Sequence, residues 1–300
     1  MKAKEIERLR AERSGDEAVH GLIARPPECF RPDRTETISA PGERPPDELV
    51  SGVSMDCLVG QHNGARHLAT GLVSFAPGAQ LPYHTHPVSE SVTLLSGSAI
   101  VSVEEREYCL GTFDNIVIPE DLPHSVRNAS DSESARFHVA FPSASPARDW
   151  VTAAFERLPM PHGSTGTRGK ERITRFTTAS RSEAGPGTSF IDHFNQELMP
   201  GLKMSGGYGL FQPGGRLPAH FHDFDESICI IEGTATCVCE GRRHSMSGGT
   251  TALQPRGRVH YFINESAEPM SMLWVYAGPS PDRLLVEESC ATTTGAAWPE

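Results

Sequence analysis

Two sets of histidine and glutamate stand out in the sequence. The first half carries His84, His86, Glu90 and His124; the second carries His220, His222, Glu226 and His260 at the same internal spacings. Residues two apart in a strand share a face, so His84 and His86 project the same way, as do His220 and His222. Pro87, Val88 and Ser89 are enough for a turn that lets Glu90 open the next strand, while His124 arrives from a distant one. Each set then offers three imidazole nitrogens and one carboxylate. Such donors suit a divalent transition metal, Fe(II), Mn(II), Ni(II), Cu(II) or Zn(II), and leave about two positions of a six-coordinate ion for substrate, dioxygen or water. A lone histidine is ordinarily a satisfied core residue. Eight matching groups in two copies are not explained that way, because burying them together without an ion costs several kcal/mol of desolvation.

The elements that position these groups form an internal repeat. Residues 71–128 align without a gap on residues 207–264, and the shared positions are ligands and turn formers: Gly78/Gly214, Pro82/Pro218, Gly97/Gly233, Pro119/Pro255 and Asn128/Asn264. Segments such as SVTLLSGSAIVSV and SICIIEGTATCVCE are short β-branched and apolar runs broken by glycine, the pattern of a sandwich or barrel. The 28 Gly and 24 Pro support the same turn-rich, all-β reading, and 300 residues give room for two domains. Helix is expected only at the edges, in residues 146–157 (PARDWVTAAFER) and in residues 1–20, with Ile6, Leu9 and Ala18 on one side. A loop, PMPHGSTGTRGKER, joins the halves, with the boundary near residues 160–170.

Charge narrows the partners. With 27 Lys plus Arg against 38 Asp plus Glu, the net charge is −11, and no dense basic run occurs, so nucleic acid and acidic membranes are disfavoured. The chain lacks the roughly 18 to 20 consecutive apolar residues of a membrane span, and its charged start, MKAKEIERLRAERSGDE, has no apolar signal core. A cytoplasmic location with seven reduced cysteines is expected, so the sequons at Asn128 and Asn264 call for a role other than glycosylation. Cys237 and Cys239 read as neighbouring half-buried thiols in a strand, and Gly206-Gly207-Tyr208-Gly209 as a sheet bend. Asp223 and Asp225 flank the second ligand set, and Glu120 and Asp121 precede His124. Each is a candidate general acid or base if it faces the metal.

Each half resembles the cupin signature, in which G-x5-H-x-H-x3–4-E-x6-G and G-x5-P-x-G-x2-H-x3-N flank a small β-barrel. The second half has both motifs complete, the latter as Gly249, Pro255, Gly257, His260 and Asn264; in the first half Phe113 and Asp121 replace the two glycines. The resemblance implies an all-β bicupin: two tandem cupin barrels (double-stranded β-helix, or jelly-roll) with a few peripheral helices. The expected organisation is an N-terminal arm (1–49), an N-terminal barrel (50–145), a helix and linker (146–170), a C-terminal barrel (171–285) and a tail (286–300). Gentisate dioxygenases typically lack the motif glutamate, and quercetin dioxygenases and oxalate decarboxylases usually place four residues, not three, before it. Intact ligands in both halves point to an enzyme. The expectation is an Fe(II) dioxygenase that binds a small hydroxy, keto or carboxylate substrate beside O2. The alternative is a non-oxidative isomerase, lyase or decarboxylase using Mn or Zn, and a further one is a non-catalytic ligand-binding bicupin. The resemblance also implies a homodimer, and the complete second motif favours the C-terminal site.

Overall fold

The computed structural model describes residues 23–299, so the helix expected in residues 1–20 lies outside the described residues. Short β-branched runs between glycine turns form strands throughout, and these assemble into two barrels, each made of two facing sheets. In the N-terminal barrel an eight-stranded sheet, with Glu90–Ser96, Ala135–Phe141 and Ala69–Phe75 at its centre, faces a six-stranded sheet built on Gln80–Thr85, His124–Asn128 and Ala99–Val103. In the C-terminal barrel a six-stranded sheet containing Glu226–Glu232, Met270–Tyr276 and Ser205–Phe211 faces a five-stranded one containing His220–Phe221, His260–Ile263 and Thr234–Cys239. Val92, Leu94, Phe137 and Phe141 belong to the first interior core, and Ile228, Ile230, Trp274 and Tyr276 to the second. Between the barrels, Val59, Leu68, Val117 and Ala140 pack on Phe194, Met204, Leu253 and Val275, all buried.

The helix expected at residues 146–157 does not form. Asp149–Trp150 instead pairs antiparallel with His84–Thr85, and Leu158–Pro159 runs parallel to Arg106–Glu107. Open sheet edges offer the segment backbone partners, such as Tyr83 O for Val151 N at 2.9 Å, and this outweighs a weak local helical pattern. Its apolar residues make no common helical face: Trp150 is 53% exposed, while Phe155 packs on the Tyr83 ring at 4.9 Å. Among the described residues, the one α-helix is Ser289–Thr292, with 3-10 turns at Glu28–Phe30 and Gln61–Asn63.

The barrels also exchange edges. Thr37–Ser39 pairs with Thr251–Leu253 in the C-terminal sheet, and Ile23 bridges Val286, so these residues of the expected arm pair with the far barrel. Conversely, Arg172–Thr174 pairs with Asn115–Val117 and extends the N-terminal sheet, beyond the boundary read from the sequence.

Candidate metal centres

Strand pairing brings the histidines together. His84 lies directly across from His124 on the neighbouring antiparallel strand, and His220 across from His260, with ring centroids 4.2 and 4.6 Å apart. His86 and His222 follow immediately after the strands that carry the first histidines, and Glu90 and Glu226 open strands of the opposite sheets. Each group therefore sits between its two sheets. All eight residues are buried, and within each group the potential ligand atoms lie within 4.8 Å of one another.

Backbone carbonyls orient the rings. His84 Nδ1 faces Pro82 O at 2.7 Å, His124 Nδ1 faces Leu122 O at 2.8 Å, and His86 Nδ1 bonds Ala147 O. In the second barrel His220, His222 and His260 meet Pro218 O, Asp282 O and Arg258 O at 2.7, 2.7 and 3.0 Å. A carbonyl only accepts, so each Nδ1 carries the proton and each Nε2 turns a lone pair inward, the tautomer a ligating histidine needs.

These contacts fit a cation. The buried Nε2 atoms of His84 and His86 have no hydrogen-bond partner. His124 Nε2 lies 2.8 Å from Glu90 Oε2, and His260 Nε2 2.8 Å from Glu226 Oε2. With both nitrogens facing acceptors, each ring must either hold a second proton or share a cation with the carboxylate. Burial lowers the pKa of His84 to about 3, helped by the neighbouring His124, and also lowers those of His86, His220 and His222. Burial by itself would raise Glu90, but the His124 hydrogen bond and the surrounding imidazoles hold it at about 2; Glu226 is held below its ordinary value, chiefly by His222 against its own burial. Neutral imidazoles and ionised carboxylates are the forms that bind divalent ions.

The four acidic candidates take other places. Asp225 is fully engaged: it accepts from Arg34 at 2.7 and 2.8 Å, from Arg66 N at 2.6 Å and from Arg256 N at 3.0 Å, clamping three segments. Asp223 pairs with Arg256. Glu120 and Asp121 are exposed, and Asp121 donates its backbone N–H to His86 O at 2.8 Å. Asn128 and Asn264 bind the loops that follow them, donating to Glu133 O and Glu268 O at 2.7 Å, which gives both sequon asparagines a structural role. Cys237 and Cys239 are fully buried, and Cys237 Sγ accepts from Gln254 Nε2 at 3.1 Å.

Arg148, which the sequence reading passed over, reaches the first centre. It lines a small inner chamber with His84 and Glu90, and an outer cavity of about 470 Å³ that also touches His86 and Phe141. Its signal in the sequence is a second arginine, Arg283, at the matching place in the other half. The ungapped alignment hides the match, because the loop after Asn264 is one residue shorter than the loop after Asn128.

Comparison with known proteins agrees with this architecture. A family model described as "Cupin domain" matches residues 71–141 and 207–276. Protein SchB of Streptomyces halstedii is 30% identical over 97 residues, covering 32% of this chain and 70% of that protein. A shorter match, 39% over 56 residues, is to the endoribonuclease YbeY of Myxococcus xanthus; it spans 19% of this chain and only 19% of that protein's length. Among solved structures, the oxalate decarboxylase of Lactobacillus farciminis in a formate complex is similar at a TM-score of 0.68 and 16% identity, covering 87% of this chain and 91% of that one. Bacillus subtilis oxalate decarboxylase, in a structure concerned with its Mn(II) centres, is similar at a TM-score of 0.67 and 18% identity, covering 87% and 82%.

Proposed function

We propose, from the premise that this chain belongs to the cupin superfamily as a bicupin with two complete ligand sets, that it is a divalent-metal enzyme, Mn(II) being the favoured ion, that cleaves a small carboxylic acid without oxidising it. The observation that carries this reading is the pair of buried His3Glu groups whose ring nitrogens and carboxylate oxygens converge on one another. The likeness to oxalate decarboxylases supports non-oxidative lyase chemistry over the dioxygenase expected from the motifs.

A bound ion would supply Lewis acidity, stabilising negative charge that builds on a substrate oxygen as a C–C bond breaks. The chain's own residues prepare for it. Carbonyls of Pro82, Leu122 and Ala147 hold the three imidazoles in one orientation, and Glu90 stays ionised at neutral pH, the form in which its carboxylate binds a dication. Apolar walls of Val92, Phe137 and Val139 exclude bulk water from the inner chamber.

The test is metal content by plasma mass spectrometry, with carbon dioxide release and oxygen uptake followed across a panel of organic acids. Two equivalents of divalent metal per chain are expected, with one lost in His86→Ala, and carbon dioxide release without stoichiometric oxygen uptake. Iron with stoichiometric oxygen uptake would return the assignment to a dioxygenase. Failure to take up any metal after reconstitution would overturn the enzyme reading.

A further inference from the structure

The two barrels carry the same crossing segment after their last long strand. Ala147 O holds His86, and Asp282 O holds His222; Asp149–Trp150 pairs with Thr85–His84, and Leu284–Leu285 with Phe221–His220. Arg148 and Arg283 are therefore structural equivalents, one at each metal group. So are Phe141, packed on His86 at 4.9 Å across from Ala69, and Tyr276, packed on His222 at 4.5 Å across from Ser205.

One oxygen atom and one aromatic ring distinguish the two sites. In the C-terminal barrel the Tyr276 hydroxyl is hydrogen-bonded with both Arg283 and Glu226, so the arginine is engaged within the protein. The ring of Phe224 also stacks on His222 at 5.3 Å. In the N-terminal barrel Phe141 has no hydroxyl to offer, and Val88 stands where Phe224 does in the repeat. Arg148 there has no tyrosine hydroxyl beside it, and its guanidinium lies over the Trp150 ring with Cζ 5.8 Å from the ring centre. Arg148 is half-buried, and the part of its guanidinium that lines the outer cavity is placed to receive an anion. Glu90, its nearby carboxylate, is committed to the imidazoles.

We propose that Arg148 is the substrate-carboxylate anchor, and that the N-terminal barrel is the chamber for an organic acid larger than oxalate. This rests on the proposed function of the same centre, and it reverses the preference for the C-terminal barrel drawn from motif completeness. A carboxylate at the boundary between the chambers meets Arg148 on one side and the ligand group on the other. The outer cavity of about 470 Å³ then takes the remainder of the acid: Leu49, Met55 and Phe141 offer an apolar wall, and Arg44 and Gln61 a polar end. That volume lies in the range that encloses small organic ligands and far exceeds what a two-carbon diacid fills.

The Mn-loaded chain is titrated calorimetrically with 2-hydroxybenzoate, its uncharged analogue 2-hydroxybenzyl alcohol, and oxalate, with metal content and melting temperature measured on the same samples. One 2-hydroxybenzoate per chain is expected, bound more tightly than oxalate, with the alcohol about 100-fold weaker. Arg148→Gln should weaken the acid about 100-fold at unchanged metal content, and Arg148→Lys should recover part of the loss. Phe141→Tyr, which recreates the Tyr276 arrangement, should weaken it while leaving Arg148 in place. Arg283→Gln should leave binding unchanged. Wild-type binding by Arg148→Gln, tighter binding of oxalate, dependence on Arg283 instead, or no acid binding to the metal-loaded chain would each overturn the inference. A chain that takes up no metal would instead sink the proposed function.

Discussion

Two histidines outside the ligand sets tie stability to pH. His138 lies on Ala135–Phe141, whose Phe137, Val139 and Phe141 fill the N-terminal core, so alternation turns it to the other face. His193 lies on Thr188–Phe194 of the other barrel and senses His138 and Asp114 electrostatically. Both are buried, with Nε2 unpartnered. Burial lowers His138 to about 4 and His193 to about 3. Both values lie below that of an unfolded histidine, about 6.5, so the unfolded chain binds more protons as pH falls through that value. Stability is therefore lost from about pH 6.5 down to about pH 3 and flattens below. Each residue is worth about 2 kcal/mol at pH 5 relative to pH 8. Denaturant unfolding at several pH values should show a shallower decline for His138→Leu combined with His193→Leu than for the wild type. Parallel profiles would remove these histidines as the cause, since the metal-ligand histidines are common to both proteins. At this scale the eight ligands were legible because their chemistry demands the same residue type in both copies. Arg148 was not, because a shorter loop shifts the frame and Phe141 and Tyr276 differ in the atom that matters.

Single elements explain why the two copies of the second motif diverged without loss of fold. Gly249 and Gly257 have φ of 83° and 84°, and Phe113 and Asp121 adopt the same left-handed conformation at 64° and 59°. For Phe113 this costs about 1 to 2 kcal/mol, offset by packing against Phe176 and Tyr208 at 5.2 and 5.0 Å. Asp121 is exposed, and its short polar side chain tolerates the turn. Gly257 has no such freedom, because a Cβ there would meet Phe30 O at 1.9 Å. Gly257→Ala should therefore cost about 3 kcal/mol or more, and Asp121→Ala about 1 kcal/mol or less, read as a difference in thermal unfolding. Equal costs would remove the Phe30 contact as the reason. Strand assignments were legible from glycine-broken β-branched runs. The crossing segment was not, because its twelve residues gain their backbone partners from strands that precede them by some sixty positions, which no local pattern displays.

At the scale of the whole molecule the exchanged edges make the halves interdependent. Glu36 accepts from Arg242 and His244, and Arg34 pairs with Asp225, so the segment carrying Thr37–Ser39 is fastened to the C-terminal barrel by charge as well as by its ladder. Residues 175–300 produced alone would expose the Thr251–Gln254 edge and leave Asp225 without its main partner. That fragment should aggregate, and a peptide of residues 23–41 supplied in trans should raise its solubility. A soluble, monomeric fragment with a wild-type melting transition would show the exchange to be dispensable. The sequence displayed the two barrels because each repeats its own motif; the exchange rests on short segments without a motif, and nothing in their composition names a partner. The same fastening sets a timetable during synthesis. The N-terminal sheet gains Arg172–Thr174 soon after its own last strand is made, whereas Thr37–Ser39 must wait on the ribosome for a partner more than two hundred residues downstream. At ordinary elongation rates that wait is on the order of 10 to 40 s, so the earliest strand among the described residues is among the last to find its place.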